Sequence, residues 1–159
     1  MKEWPADWEE RRHGKDCAMC REGRPDDNGF GPRIFVGRYS DAYLQRADVG
    51  HPGYTIVIWR GRHVAEPMEL SPDEASGYFT EVMRVARAIE THYKPIKMNL
   101  EMLGNSLPHL HTHVIPRFLD DGAPGTPARF MGADYRPEVV RPEGDIAREL
   151  AALRRILAS

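Results

Sequence analysis

The chain has 159 residues, the length of one compact domain, and we expect a single domain over residues 1–159. Its 22 basic and 24 acidic side chains leave a formal net charge of −2, so the composition gives no support for a nucleic-acid or membrane partner. The charged N-terminus lacks the apolar run of a signal peptide, and no stretch reaches the roughly 20 apolar residues of a membrane span. We therefore expect a cytoplasmic protein.

The residue pattern predicts one antiparallel sheet with one long helix packed on it. Strand composition between turn residues predicts five strands, over residues 33–38, 42–46, 54–59, 98–103 and 109–117. The first three should form a meander. The sequence Ser71-Pro72-Asp73-Glu74 has the pattern of a helix start, and apolar residues then recur at helical spacing for about six turns until Pro95. Shorter helices are predicted at residues 3–12 and 145–157, which gives an α+β domain.

Three of the seven histidines, His109, His111 and His113, alternate along the last predicted strand. Alternate residues of a strand share a face, so the three imidazoles should line one surface over about 13 Å at roughly 3.3 Å per residue. Imidazole can bind a metal or act as a neutral nucleophile or proton donor near pH 7. The spacing leaves both chemistries open, although the outer two histidines lie too far apart to share one metal ion.

The cysteine content of the chain is limited to Cys17 and Cys20, which have C-x-x-C spacing. In a reducing compartment this spacing indicates metal ligation or redox chemistry more than a structural disulfide. Two unrelated buried thiols are a third interpretation, and the pair alone does not choose among them.

The segment PHLHTHVIPR, residues 108–117, resembles the signature of the histidine triad family, in which three histidines alternate with apolar residues. Only Thr112 departs from that pattern. The resemblance covers about residues 17–118 and includes the long helix, and it implies the histidine triad fold. Residues 119–159 are left as a C-terminal loop and helix without an assignment by resemblance.

The resemblance implies an enzyme that hydrolyses nucleotides or transfers a nucleotidyl group. In this family the middle histidine, here His111, attacks the α-phosphorus and forms a nucleotidyl-histidine intermediate. A neutral imidazole suits this step because it is not repelled by phosphate oxygens. Its other ring nitrogen must donate to a fixed acceptor, for which we expect a backbone carbonyl.

The same resemblance assigns further roles around the nucleophile. His113 would bind phosphate oxygen or assist the leaving group as a second catalytic residue. Ser106, Asn99 and Asn105 are the candidate substrate-binding residues. The substrate would be a nucleoside phosphoramidate, a nucleoside 5′-phosphosulfate or a dinucleoside polyphosphate, built on adenosine or guanosine, and a polyphosphate can bring Mg²⁺ with it.

One position departs from the family pattern. The family often carries a further histidine at the start of the strand before the main helix, where this chain has Tyr54 after Gly53. Tyrosine can donate a hydrogen bond, but with a pKa of about 10 it cannot take up a proton at neutral pH. If the position serves proton transfer, this chain performs that transfer differently or more slowly. Arg46 and Asp48 are the nearest polar candidates for a ribose-binding residue.

Many bacterial members of the family bind zinc through four residues whose counterparts here are Cys17, Cys20, His63 and His109. Two thiolates and two imidazoles make a closed tetrahedral set with no position for water. The resemblance therefore implies a structural zinc ion that ties the N-terminal segment to the sheet.

Two other functions stay open beside the enzyme. One is a metallohydrolase that uses the triad as ligands, which the strand spacing disfavours. The other is a non-catalytic nucleotide-binding protein that has kept the zinc site, for which Tyr54 is the only support. Family members are commonly homodimers whose sheets join, and a free sheet edge would favour a homodimer here.

Overall fold

The computed structural model describes residues 3–46, 50–121, 125–128 and 142–159. The described strands are β1 Arg33–Val36, β2 Ser40–Leu44, β3 Thr55–Trp59, β4 Lys97–Glu101 and β5 His111–Arg117. The described helices are α1 Trp8–Arg12, α2 Ala18–Arg21, α3 Pro72–Tyr93 and α4 Glu143–Ala158, with a 3₁₀ turn at Pro67–Glu69. Asp48 and most of the predicted loop before α4 lie outside the described residues.

The five strands form one antiparallel sheet in the order β1-β2-β3-β5-β4. The first three strands make the predicted meander. After α3 the chain enters β4 at the outer edge and returns through β5, which pairs with β3 on one side and β4 on the other. This arrangement, with its long helix and C-terminal helix, confirms the predicted fold, and it places the histidine-bearing strand inside the sheet.

Helix α3 begins and ends where its sequence predicts. The Ser71 hydroxyl accepts a hydrogen bond from the Glu74 backbone N–H, and the Glu74 carboxylate accepts one from the Ser71 N–H. At the other end Lys94 adopts a left-handed conformation with φ of 50°, and Pro95 follows. Its buried face covers one side of the sheet and comprises Tyr78, Val82, Val85, Ala86, Ala88 and Ile89.

The two faces of the sheet belong to different apolar clusters. Val57, Trp59 and Val114 pack with α3, whereas Ile56 and Ile58 pack with Met19, Tyr43 and Tyr54 on the opposite face. Since side chains alternate along a strand, His111 and His113 share the face of their cross-strand partners Ile58 and Ile56. The histidines therefore lie on the side of the sheet away from α3.

Thr112, the one departure from the apolar pattern, points to the α3 face. Its hydroxyl lies 2.8 Å from the phenol oxygen of Tyr78, which also lies 3.2 Å from the Val57 carbonyl. A hydroxyl is accommodated at this buried position because Tyr78 provides a partner.

His109 lies just before β5, although the sequence predicts that the strand starts at this residue. Its N–H donates to the Leu107 carbonyl in a tight turn around Pro108, and its ring donates from Nε2 to the Trp59 carbonyl. With these bonds, His109 lies outside the hydrogen-bonded pairing of the strands. Within the described ranges, none of the helices is long and apolar enough to cross a membrane.

Candidate active site and metal site

His111 is held in one tautomer by the backbone. Its Nδ1 lies 2.6 Å from the carbonyl oxygen of His109. A carbonyl oxygen only accepts, so Nδ1 carries the proton and the lone pair is on Nε2. Burial lowers the pKa of His111 below its ordinary value, and the ring is neutral at pH 7. The acceptor that the sequence analysis requires is thus the carbonyl of the residue two positions earlier.

His113 lies beside His111 and is bonded to Tyr54. The centroids of the two imidazoles are 4.8 Å apart, and the His113 Nδ1 lies 2.6 Å from the Tyr54 phenol oxygen. Burial, together with the neighbouring His111, lowers the pKa of His113 to about 4. The same burial raises the pKa of Tyr54. The two partners are therefore both uncharged near neutral pH.

Strand β4 places two polar side chains on the face of the sheet that carries His111 and His113. Glu101 lies directly opposite His113, and Asn99 lies opposite Ile115 and donates from Nδ2 to a Glu101 carboxylate oxygen at 3.3 Å. A cavity of about 620 Å³ begins at these two residues and extends past Arg117. Asn99 was expected in substrate binding, and Glu101 was not, because only the strand register places it beside His113.

Asn105 and Ser106 are exposed in the turn between β4 and β5. Ser106 lines a separate cavity of about 140 Å³ together with Arg11 and Cys17. A small recess of about 20 Å³ borders His111 and is lined by Gly104 on the same turn. Among the described residues, no hydrogen bond joins Asn105 or Ser106 to the histidines, so their roles in substrate binding stay predictions.

The four predicted metal ligands meet at one point. One donor atom from each of Cys17, Cys20, His63 and His109 lies within 4.8 Å of all the others. The Sγ–Nδ1 distances are 3.3 Å for Cys17 and His109, 3.4 Å for Cys20 and His63, and 3.5 Å for Cys20 and His109. A tetrahedral ion with ordinary metal–sulfur and metal–nitrogen bonds requires an edge of about 3.5 Å. The cluster could therefore bind a metal ion.

Backbone carbonyls orient both imidazoles of this cluster. His63 Nε2 donates to the Arg12 carbonyl at 3.0 Å, and His109 Nε2 donates to the Trp59 carbonyl at 2.9 Å. Each ring thus keeps its Nδ1 lone pair for the cluster, as is usual for metal-binding histidines. This arrangement favours metal ligation over redox-active or unrelated thiols.

Arg60, whose role was not predicted from the sequence, forms hydrogen bonds with the segment that contains the two cysteines. Its buried guanidinium donates to the Met19 carbonyl between the two cysteines at 2.9 Å, to Asp41 at 3.0 Å and to Glu22 at 3.1 Å. Asp41 is fully buried and also binds Arg24. The sequence does show an arginine at the end of an apolar strand, but it does not show the partners of this arginine, because they are distant in sequence.

Comparison with known proteins assigns the chain to a family. The sequence model of the HIT domain matches residues 41–120, about half of the chain. A Bacillus subtilis relative named Protein hit is 33% identical over 144 residues, which cover 87% of this chain and 97% of the relative. The chain belongs to the HIT domain family.

The other relatives of this HIT protein agree with its fold. The crystal structure of a histidine triad protein from Bradyrhizobium japonicum superposes with a TM-score of 0.69 and 26% identity over 79% of this chain and 89% of that chain. A bis(5′-adenosyl)-triphosphatase of Saccharomyces cerevisiae is 32% identical over 72 residues, 42% of this chain and 35% of the yeast protein. The match to the yeast protein therefore covers about a third of that protein.

Proposed function

We propose that this HIT protein hydrolyses a nucleotide, or transfers its nucleotidyl group, through a covalent nucleotidyl-His111 intermediate. The observation that carries the proposal is the hydrogen bond from His111 Nδ1 to the His109 carbonyl. It supplies the neutral imidazole with a lone pair on Nε2 that attack at phosphorus requires. The substrate class is a nucleoside phosphoramidate or a dinucleoside polyphosphate of adenosine or guanosine, and the latter can carry Mg²⁺.

The proposed reaction has two displacements. The Nε2 lone pair of His111 forms a bond to the α-phosphorus as the bond to the leaving group breaks. The ring then carries a positive charge, and the His109 carbonyl dipole stabilises it through the Nδ1 proton that it already accepts. Water or another acceptor next attacks the phosphorus and loses its proton to solvent, the bond from phosphorus to nitrogen breaks, and His111 returns to its neutral form. Asn99, Asn105 and Ser106 are proposed to hold the phosphate during both steps.

The intermediate gives the direct test of this function. Purified protein is mixed with diadenosine tetraphosphate or an AMP phosphoramidate, quenched within the first turnover and analysed by intact-protein mass spectrometry. We expect a mass increase of one nucleotidyl group in the wild type and in H92A, a variant of a histidine at the end of α3, and none in H111A. Protein that binds AMP but shows neither adduct nor turnover would instead be a non-catalytic nucleotide-binding protein.

We also propose that the Cys/His cluster binds zinc in a structural role. The set of two thiols and two imidazoles, at distances that suit tetrahedral coordination, is the donor set that zinc prefers in closed sites. When bound, the ion would link the N-terminal segment to the sheet through Cys17, Cys20, His63 and His109. Thiols that must stay reduced to bind it fit the reducing cytoplasm.

A homodimer joined along β4 is the proposed assembly. On β1, at the other edge of the sheet, the Arg33 carbonyl accepts a hydrogen bond from the Arg154 guanidinium of α4 at 2.6 Å. No described strand covers β4, and Leu100 on its α3 side is 41% exposed. On α3 itself, Phe79 and Met83 are 37% and 40% exposed one turn apart. An open strand edge beside exposed apolar side chains is a typical pairing surface.

The assembly is tested by the mass in solution. We expect the wild type to elute as a dimer in size-exclusion chromatography with light scattering. The L100D variant should elute as a monomer, because the new carboxylate would be buried in the dimer interface. M68D is the matched control, since Met68 is 80% exposed on the 3₁₀ turn, and it should stay dimeric. A monomeric wild type would contradict the proposal.

A further inference from the structure

We propose that Tyr54 is a positioning residue that holds His113 as a neutral Nε2–H donor and thereby makes the site selective for leaving groups that depart as weakly basic oxyanions. Phosphate, polyphosphate and nucleotide leaving groups belong to this class, whereas the amine of a phosphoramidate does not. The inference deepens the proposed function and rests on His111 as the nucleophile.

The placement of Tyr54 is fixed by its surroundings. Gly53, just before it, has φ of 75°, and a Cβ there would lie 2.7 Å from the Tyr93 ring. The chain can therefore make this turn into β3 only with glycine. Tyr54 is 6% exposed, and its ring stacks on His113 with an interplanar angle of 24°. Because the turn is rigid and the Tyr54 ring is buried against His113, the phenol oxygen has a fixed position at the His113 Nδ1.

The direction of the 2.6 Å hydrogen bond follows from the chemistry of the two groups. A phenol O–H is a stronger acid than a neutral imidazole N–H, and an imidazole nitrogen is a stronger base than a phenol oxygen. The favourable arrangement has Tyr54 donating to Nδ1, which leaves the single ring proton of His113 on Nε2. Burial of both side chains disfavours their charged forms in the same way.

The two neighbouring imidazoles then have opposite tautomers. His111 carries its proton on Nδ1 and has a lone pair on Nε2, whereas His113 has a lone pair on Nδ1 and a proton on Nε2. One ring is prepared to attack phosphorus, and the other is prepared to donate a hydrogen bond to an oxygen. A histidine in place of Tyr54 could accept the Nδ1 proton of an imidazolium, but a phenol that donates to Nδ1 opposes the imidazolium form of His113.

This difference decides which bonds can break. When His111 attacks an anhydride, the electron pair of the P–O bond moves to the leaving oxygen, which departs as a stable oxyanion and needs only the His113 hydrogen bond. When the leaving atom is an amine nitrogen, that nitrogen takes the electron pair of the P–N bond and must receive a proton from an acid as the bond breaks. A neutral imidazole N–H is too weak an acid for that transfer. Since a general acid contributes about 10²–10⁴-fold, the anhydride should be favoured by about 10²-fold or more.

The test compares diadenosine triphosphate with an AMP phosphoramidate of a primary alkyl amine in wild type, Y54F, Y54H and the control Y39F. Tyr39 packs on the α3 side of the sheet, so Y39F should keep the wild-type ratio of kcat/KM for the two substrates. We expect that ratio to favour the triphosphate by about 10²-fold and to fall at least about tenfold in Y54F and Y54H. Equal wild-type rates, or an unchanged ratio in Y54F, would overturn the selectivity.

The tautomer has a readout that needs no turnover. In protein labelled with ¹⁵N-histidine, the wild-type His113 should show an unprotonated Nδ1 and a protonated Nε2, and Y54F should show a mixture of the two tautomers. A protonated Nδ1 in the wild type would overturn the role of Tyr54. A His111 adduct that forms equally fast from both substrates would overturn the selectivity alone, whereas absence of any adduct would overturn the proposed function and the selectivity together.

Discussion

Replacing His111 by glycine is expected to lower kcat by about 10⁴-fold or more, as is typical when a covalent nucleophile is removed. No neighbouring imidazole can take its place. The ring of His113, 4.8 Å away, has its Nδ1 bonded to Tyr54, and the ring of His109 has Nε2 bonded to a carbonyl and Nδ1 in the Cys/His cluster. Nucleotide affinity should change little, because the proposed phosphate-binding residues lie on β4 and the following turn.

Free imidazole offers a sharper check on this prediction. In H111G the missing ring leaves a space into which imidazole can diffuse, attack the α-phosphorus and leave as a nucleotidyl-imidazole. We expect imidazole to restore part of the lost turnover in H111G, to restore less in H111A, whose methyl group fills part of the space, and to have no effect on H92A. Turnover in H111G that is close to wild type without imidazole would show that another residue is the nucleophile.

The parts of this molecule that local sequence determines were predicted well. The start of α3 follows from Ser71 and Glu74, which bond each other within one turn. The shared face of His111 and His113 follows from the alternation of a single strand. The meeting of Cys17 with His109 came only from the family resemblance, since 92 residues separate the two.

Contacts that depend on the strand order were not predictable in the same way. The sequence shows two strands after α3, but it does not show that β5 lies between β3 and β4. That order brings Tyr54 into hydrogen-bond contact with His113 and pairs Glu101 with His113 in the neighbouring strand. The hydrogen bond from Arg60 to the Met19 carbonyl likewise joins residues 41 positions apart. Long-range register, not residue type, decides these contacts.

Loss of the proposed zinc ion is the second change with a large expected effect. The double variant C17S/C20S should retain no tightly bound zinc, and its free energy of unfolding should fall by about 3 kcal/mol or more, because binding energy at such sites is also folding energy. Helices α1 and α2 have 5 and 4 residues, and the only residue they bury is Met19. Helices this short are not stable alone, so residues 8–21 should detach from the sheet.

Metal analysis, urea unfolding and hydrogen exchange over residues 8–21 check this expectation. Chelation of the wild type should reproduce the behaviour of C17S/C20S, and the same chelator should change nothing further in that variant. H13A is the matched control, since His13 is exposed at the end of α1 and lies outside the cluster. A double variant that keeps its zinc and its stability would place the metal elsewhere.

Loss of the zinc ion should also affect the candidate active site, through His109. His109 contributes its Nδ1 to the cluster, its Nε2 to the Trp59 carbonyl and its own carbonyl to the His111 Nδ1. When the metal is absent, one of the constraints on His109 is lost and the acceptor for His111 becomes less well fixed. We therefore expect kcat of C17S/C20S to fall by about tenfold with little change in nucleotide affinity, because misplacement of a reacting group slows chemistry more than it weakens binding. An unchanged kcat in metal-free protein would show that the Trp59 carbonyl alone is enough to hold His109 in place.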